Sequence, residues 1–226
     1  EEDKPDDSVL DRDGSGDVMK VYCGSTAGKV LEYMWDKNYG LTLTPKTWRF
    51  QYNAKWRYWA LDNGAYSAYL NNEDFDAVAF RNIIYNKLPL TKTEPDLVVV
   101  PDIIGGGLRS LDFSLKWMNE LDKLDYNWYL AVQDGMQLKD VEPILDRFNG
   151  IFVGGTVKWK VSTGETWVKL ARKYNLPCHI GRVGTYRRIV WAMRIGADSI
   201  DSTNFLKNPK GFIRLESAKA QTLLET

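Results

Sequence analysis

Six short apolar runs in this chain each end in a cluster of polar residues or glycines, and this pattern constrains the fold more than any other feature. The runs with their clusters are WALDNGAY (59–66), VVVPDIIGGG (98–107), YLAVQDG (129–135), IFVGGTVKWK (151–160), HIGRVGT (179–185) and DSIDSTNF (198–205). Segments with helical spacing lie between them. Strands that alternate with helices through short links predict a parallel sheet with crossover helices.

The pattern predicts seven strands, the first being VMKVYCG (18–24), with GFIRL (211–215) as a candidate eighth. We therefore predict an α/β fold, a compact (β/α)8 TIM-type barrel with an irregular or incomplete last strand. An open doubly wound sheet is the alternative, although no GxGxxG motif opens a helix after the first strand. The barrel is expected to occupy residues 18–226 as a single domain, after a flexible acidic tail over residues 1–17.

Composition excludes several classes of function. Thirty basic residues balance thirty acidic ones, so the bulk charge does not indicate a nucleic-acid partner. Cys23, Cys178 and the one histidine, His179, are too few for a structural zinc site, and two cysteines cannot form a disulfide framework. No apolar run approaches the ~20 residues of a membrane span. We expect a cytoplasmic protein that has no cofactor, no metal and no membrane partner, in which Cys178 and His179 only pack.

The segments between the strands allow two further predictions about local structure. Residues 38–56 are expected to be irregular, and TGETWVKLARKYN (163–175) is expected to be a helix capped by Thr163. The aromatic and basic segment WRFQYNAKWRYW (48–59) is either a surface that stacks on bases and contacts phosphates or a loop that covers the core.

Three of the apolar runs end directly in an aspartate, at Asp62, Asp102 and Asp201, and a barrel brings all its strand ends to one face. Asp62 precedes Asn-Gly-Ala, so it belongs either to an ordinary turn or to a reactive site. Asp102 precedes three glycines and either reads the N–H donors of a guanine-like edge or caps a helix. Asp201 is of a residue type that can attack an anomeric carbon. Asp198 points to the opposite side of the same strand and is expected to be structural.

Two further clusters add groups that suit a heterocyclic ligand. Gln133 can both donate and accept through one side-chain amide. Gly154 and Gly155 are expected to expose a backbone N–H to the same ligand. We therefore expect one site that is assembled from distant parts of the sequence.

The ordered set Asp-x-Gly-Ala-Tyr, strand-Asp, Val-Gln-x-Gly, Gly-Gly, Gly-x-Val-Gly and strand-Asp resembles the tRNA-guanine transglycosylase superfamily. The resemblance runs from about Ala60 to Phe205, close to two-thirds of the chain. In character it is closest to the compact, zinc-less enzymes that insert 7-deazaguanines into DNA.

The resemblance implies a role for each matching residue. Asp201 corresponds to the nucleophile that attacks C1′, and Asp62 to the second carboxylate, an acid/base residue. The residues implied to hold the base are Tyr66, which stacks on it, and the base-reading set Asp102, Gln133, Gly154 and Gly155. Gly181 stands where the family has a larger apolar side chain, so we expect room for a different or bulkier base.

The chain departs from the family at three places. The zinc-binding Cys/His cluster is absent, Ser202-Thr203-Asn204 replaces the basic stretch after the nucleophile, and Thr156 replaces a leucine. Lys158, Trp159 and Lys160 then follow, either as a basic–aromatic patch for backbone phosphate or as a solvated loop with one packed tryptophan. Arg182 is expected to contact the backbone as well.

The expected function is therefore base exchange on a nucleic acid, with DNA favoured over tRNA, and with a free modified nucleobase as the second partner. The first alternative is a DNA glycosylase that excises a modified base and leaves an abasic site. The second is a non-catalytic module that binds nucleobases or nucleic acid. An unrelated small-molecule reaction on the same barrel also stays open, because a fold does not assign chemistry.

Overall fold

The computed structural model describes residues 19–48, 58–207 and 210–224, and within them eight parallel strands close into a barrel. The strands are β1 (Lys20–Gly24), β2 (Gly40–Leu43), β3 (Trp59–Leu61), β4 (Leu97–Val99), β5 (Trp128–Val132), β6 (Gly150–Val153), β7 (Cys178–Ile180) and β8 (Ser199–Ser202). β8 returns to pair with β1, which places Tyr22 beside Asp201 in register. The predicted (β/α)8 barrel is confirmed, but the irregular or incomplete last strand is wrong, because β8 is paired with both β7 and β1. The open sheet is wrong for the same reason, since the first and last strands are hydrogen-bonded.

Helices connect and flank these strands. They are α1 (Gly28–Asp36), α2 (Ala65–Leu70), α3 (Ala77–Arg81), α4 (Leu108–Leu121), α5 (Leu138–Val141), α6 (Val157–Lys173), α7 (Tyr186–Arg194), α8 (Asn204–Lys207) and α9 (Gly211–Leu224). α3 continues as a π-helical turn over Asn82–Lys87 and a 3-10 turn over Leu88–Leu90, and a 3-10 segment over Glu142–Arg147 follows α5. None of the helices in the described residues is long and apolar enough to cross a membrane.

The eighth strand lies elsewhere than predicted. Residues 211–215 begin α9, in which Leu215 and Ala218 are buried at helical spacing, so the candidate strand GFIRL is wrong. The missing strand is β2, inside the stretch predicted to be irregular. β2 does not show as an apolar run in the sequence because one of its inward-facing positions is a glycine. An added Cβ at Gly40 would come within 2.3 Å of the Tyr58 ring inside the barrel.

The N-cap of helix α6 lies seven residues, nearly two turns, before the predicted cap. Its N-cap is Thr156, whose Oγ1 accepts from the backbone N–H of Trp159 at 3.3 Å. Thr163, the predicted cap, lies inside the helix and donates its hydroxyl to the carbonyl of Trp159 at 2.8 Å. Lys158 and Lys160 therefore belong to the first turn of a helix and not to a loop.

Alternating strand residues divide the apolar side chains into an outer and an inner core. The outer core packs the strands against the helices and includes Leu41, Leu61 and Ile180. The inner core fills the barrel with Tyr22, Ala60, Leu97, Val99, Tyr129 and Ala131, against which Tyr58 and Phe152 pack. Its tyrosines lie towards the amino-terminal end, where Tyr22 donates its hydroxyl to Asp96 at 2.8 Å. Polar groups are left to line the carboxyl-terminal end.

The predicted tail over residues 1–17 lies outside the described residues. So does most of the aromatic and basic segment, from residue 49 to residue 57. Both interpretations of that segment stay predictions.

Candidate active site

The carboxyl-terminal end of the barrel collects the predicted site residues from six strands. Asp62 follows β3, Asp102 lies beyond β4, and Gln133 follows β5. Gly154 and Gly155 follow β6, Gly181 and Arg182 follow β7, and Asp201 is the third residue of β8. Residues far apart in sequence therefore meet at one face, as expected for a barrel of this class.

A chain of side-chain hydrogen bonds joins four of these strand ends. Asn63 Nδ2 donates to Asp102 Oδ1 at 2.8 Å, and Gln133 Nε2 donates to Asp102 Oδ2 at 2.5 Å. Gln133 Oε1 in turn accepts from the backbone N–H of Gly155 at 3.0 Å. Asp102 is 5% exposed and does not cap α4, whose N-cap is Gly107. The helix-cap alternative for Asp102 is therefore wrong.

Burial raises the pKa of Asp102 from 3.8 to about 6. The amide donors of Asn63 and Gln133 oppose this shift, as does the positive charge of Arg182. Near neutral pH the carboxylate is therefore ionised in a nearly dry environment. Each of its oxygens already accepts one hydrogen bond and keeps a second lone pair.

The paired glycines after β6 do not present free N–H groups. Gly154 N–H donates to the carbonyl of Val132 at 3.0 Å, and Gly155 N–H donates to Gln133. The prediction that they offer a donor to a ligand is therefore wrong in this structure. Gly155 has φ of +70°, and an added Cβ would lie 2.7 Å from the Trp159 ring. Its role is to let the backbone turn beside that ring.

Asp62 is a carboxyl group that can hold or release a proton near neutral pH. Its Oδ1 accepts from the backbone N–H of Gly64 at 2.7 Å, which fixes it at the strand end. Burial raises its pKa from 3.8 to about 7, and the negative charges of Asp201 and Asp102 add to that increase. The Gly64 N–H and the charge of Arg182 act in the opposite direction.

Asp201 is held in the opposite state. Burial acts to raise its pKa, but the hydrogen bond from His179 and the electrostatic interaction with the same ring outweigh it, together with the backbone N–H of Arg182 and the positive charge of Lys160. The pKa of Asp201 is therefore below its ordinary value. One face of the barrel thus carries a carboxylate kept ionised and, in Asp62, a carboxyl group that titrates near pH 7. Such a division is how two acids take different roles in one active site.

His179 belongs to this site, and the prediction that it only packs is wrong. It is 1% exposed in β7, with Nε2 2.9 Å from Asp201 Oδ2 and Nδ1 2.8 Å from Ser199 Oγ. Its ring stacks on Phe152, with centroids 4.7 Å apart and planes 17° apart. Strand parity could have found it, because His179 and Gly181 are two residues apart and share the inner face.

Lys160 is also inside the protein, so the predicted basic–aromatic patch is wrong for this residue. It is 2% exposed, and its ammonium group donates to the carbonyl of Gly181. Burial, together with the charge of Arg182, lowers its pKa from 10.5 to about 7. Trp159 is partly buried against Trp167, with ring centroids 6.0 Å apart. Of the predicted patch on α6, Lys158 alone is exposed.

Arg182 covers the aromatic ring that was predicted to stack on a base. Its guanidinium carbon lies 4.0 Å above the centroid of Tyr66, and its Nη2 donates to the carbonyl of Gly155. Its φ of +58° turns its backbone N–H towards Asp201 Oδ1, 3.1 Å away. Arg182 is therefore a part-buried member of the site, and any ring that stacks on this face of Tyr66 must displace it.

The extra space predicted beside Gly181 is not present. An added Cβ there would lie 2.6 Å from the Phe152 ring and 3.4 Å from Asp201 Oδ2. The prediction of room for a bulkier base is wrong because Phe152, from the neighbouring strand, fills the volume that the missing side chain leaves.

Neither metal binding nor comparison with known proteins assigns a function to this site. Within the described residues, no group of three or more His, Cys, Asp or Glu side chains is placed to hold a metal ion. Comparison of the chain with models of protein families and with curated proteins gave no match.

Proposed function

We propose that this protein exchanges a base in a nucleic acid by breaking an N-glycosidic bond with Asp201 as the nucleophile. The observation that carries the proposal is the pair of strand-end acids whose pKa values are shifted in opposite directions. Asp201 is kept ionised, as a nucleophile must be, whereas Asp62 has a pKa of about 7 and can both give and take a proton. General acid–base catalysis is most effective when the pKa lies near the working pH.

The reaction takes place in two displacements at C1′. In the first, an Asp201 oxygen forms a bond to C1′ while the C1′–N bond breaks, and the leaving base takes the electron pair and a proton from Asp62. In the second, the entering base gives an N–H proton to Asp62, attacks C1′ and releases the Asp201 carboxylate. Two inversions give net retention at the sugar carbon. Water in place of the entering base would leave an abasic product.

The amide and carboxylate chain around Asp102 supports binding of a purine-like base. An ionised carboxylate with free lone pairs accepts the ring N–H and exocyclic amine of a guanine-like edge. Burial of Asp102 means that the nucleotide must leave its base stack to reach the site, at a cost of a few kcal/mol. Tyr66 becomes available for stacking once Arg182 moves away from it. DNA is favoured over tRNA because the resemblance is to the zinc-less DNA enzymes.

The test compares Asp201 of β8 with Asp198, the residue immediately before β8. The protein is incubated with single-stranded DNA, double-stranded DNA or tRNA, each with and without free 7-deazaguanine, and mass spectrometry follows base release and covalent adducts. Asp201→Asn is expected to lose both adduct and turnover. Asp198→Asn is the matched control, because Asp198 accepts from the backbone N–H of Cys178 at 2.7 Å and faces away from the site.

The outcomes separate the alternatives. Full turnover by Asp201→Asn would refute the mechanism. Abasic sites without incorporation of the added base would support the glycosylase. Nucleic-acid or nucleobase binding that is unchanged by Asp201→Ala, with no adduct in the wild type under any condition, would identify a non-catalytic binding module.

A further inference from the structure

The one histidine of the chain is bonded at both ring nitrogens inside the barrel, directly beside Asp201. An ionised carboxylate can only accept, so Nε2 of His179 carries the hydrogen that lies between the ring and Asp201. Nδ1 then faces the hydroxyl of Ser199, which can donate to it. The row Ser199, His179, Asp201 thus runs from the middle of the barrel to its carboxyl-terminal end.

Two aromatic rings fix the plane of the imidazole. Phe152 stacks on one face, and Tyr22 lies against the ring with centroids 5.8 Å apart and planes 57° apart. The ring is therefore restrained by packing as well as by hydrogen bonds at both nitrogens. A donor restrained in this way gives its acceptor one orientation.

Asp201 receives one protein donor at each oxygen. His179 donates to Oδ2, and the backbone N–H of Arg182 donates to Oδ1. The carboxylate plane is consequently set by two donors that both come from the β7 segment, while each oxygen retains a lone pair for reaction.

We propose that His179 is a positioning residue, which donates through Nε2 to Asp201 and thereby holds the carboxylate as an anion in the orientation needed to attack C1′. This inference rests on the proposed function in that it takes Asp201 as the nucleophile. His179 does not touch the reacting atoms and acts through Asp201.

The titratable and charged groups that face this pair come from several elements. Those around Asp201 are His179 and Arg182 of the β7 segment, Lys160 of α6, Asp62 after β3 and Cys23 of β1. Removal of the His179 donor leaves Arg182 and Lys160 in place. The Asp201 carboxylate should then become easier to protonate without losing its charge altogether.

Three substitutions isolate the donor from the packing. In His179→Gln the amide nitrogen stands as many bonds from Cα as Nε2 does, so the donor to Asp201 is kept. In His179→Asn the amide stands where Nδ1 was, so the contact with Ser199 is kept and the donor to Asp201 is lost. His179→Leu loses both.

The first measurement needs no turnover. Carboxyl 13C NMR of aspartate-labelled protein follows the titration of Asp201, whose signal is assigned by its absence in Asp201→Asn. We expect the Asn and Leu variants to raise the pKa of Asp201 by about one to two units, the size of a hydrogen bond to a charged group. The Gln variant keeps the donor and loses only the electrostatic interaction with the ring, so its Asp201 pKa should lie clearly closer to that of the wild type than to that of the Asn variant.

The second measurement is the pH profile of turnover. In the Asn and Leu variants the acidic limb should move to higher pH by the same amount, with about a tenfold or greater loss of kcat at pH values below the shifted pKa and little change in KM. The Gln variant should recover most of kcat. An Asn variant that folds and keeps the wild-type titration and profile would overturn the inference, as would a Gln variant that fails as the Asn variant does.

The two proposals can fail separately. A wild-type protein that shows neither adduct nor base release, but whose Asp201 titration shifts in His179→Asn, would end the proposed function and leave the positioning contact intact. Normal base exchange with an Asp201 titration that His179 does not affect would end the positioning inference alone. Because the Asn variant keeps a polar group against Ser199, it replaces the Leu variant if the latter does not fold.

Discussion

Asp62→Asn should stabilise the folded protein, and the gain should grow as the pH rises from 4 to 8. The wild-type carboxyl has a pKa of about 7 in the folded protein against 3.8 ordinarily, so between these values the folded state binds a proton that the unfolded state has released. Stability then falls with rising pH. The asparagine does not titrate, and its Oδ1 can still accept from Gly64.

The size of this stabilisation follows from the shift in the pKa of Asp62. About three pKa units at about 1.4 kcal/mol each give a gain of at most about 4 kcal/mol above pH 7 and essentially none near pH 4. Asp62 keeps part of its surface in water, so the observed gain should be smaller than this limit.

Urea unfolding of both proteins at closely spaced pH values measures the effect. Asp112→Asn is the control, since Asp112 is an exposed aspartate on α4, and its curve should run parallel to the wild type. A difference between Asp62→Asn and the wild type that is constant from pH 4 to pH 8 would refute the argument that burial keeps Asp62 protonated.

Three further substitutions test the packing of the site. Asn63→Ala should cost about 1–3 kcal/mol in urea unfolding, because one oxygen of Asp102 loses its donor. Gly181→Ala should cost about 1–3 kcal/mol because its Cβ would meet the Phe152 ring, and Phe152→Leu in the same chain should recover part of the loss in melting temperature. Lys160→Met should show its most favourable change in stability relative to the wild type at or below pH 7. That advantage should fade towards pH 10, since the folded pKa of about 7 lies below the unfolded value and wild-type stability rises between them. An advantage that does not change with pH would contradict the buried-amine interpretation.

The strand ends could be predicted from sequence because each is a local pattern. A buried apolar run that stops at Asp62, Gln133 or Gly154 marks both the strand and the face on which its last residue lies. β2 has no such pattern, since its inward positions are Gly40 and Thr42, and the glycine is explained only by the rings of Tyr58 and Tyr22, which come from distant parts of the chain. Residues 211–215 have an apolar content that suits a strand, but they begin α9, which packs against α7.

The contacts that bury and orient the side chains of the site could not be predicted, because they join different strands and helices and a single sequence does not reveal which of these are neighbours. The alternation of side chains along β7 places His179 on the inner face, but its partners Ser199 and Asp201 become its neighbours only through the register of β7 and β8. Lys160 is charged, and its burial follows from the early start of α6. Phe152 fills the space beside Gly181 because β6 and β7 are adjacent.

The tyrosine-filled amino-terminal half of the barrel has a consequence for the order of events. Rings there leave so little space that a Cβ at Gly40 or Gly150 would lie within 2.5 Å of Tyr58 or Tyr129. A molecule that reaches Asp201 must therefore leave through the opening by which it came. Under the proposed base exchange, the departing base would have to leave through the carboxyl-terminal opening before the entering base could use it, and the sugar would stay bound to Asp201 in between.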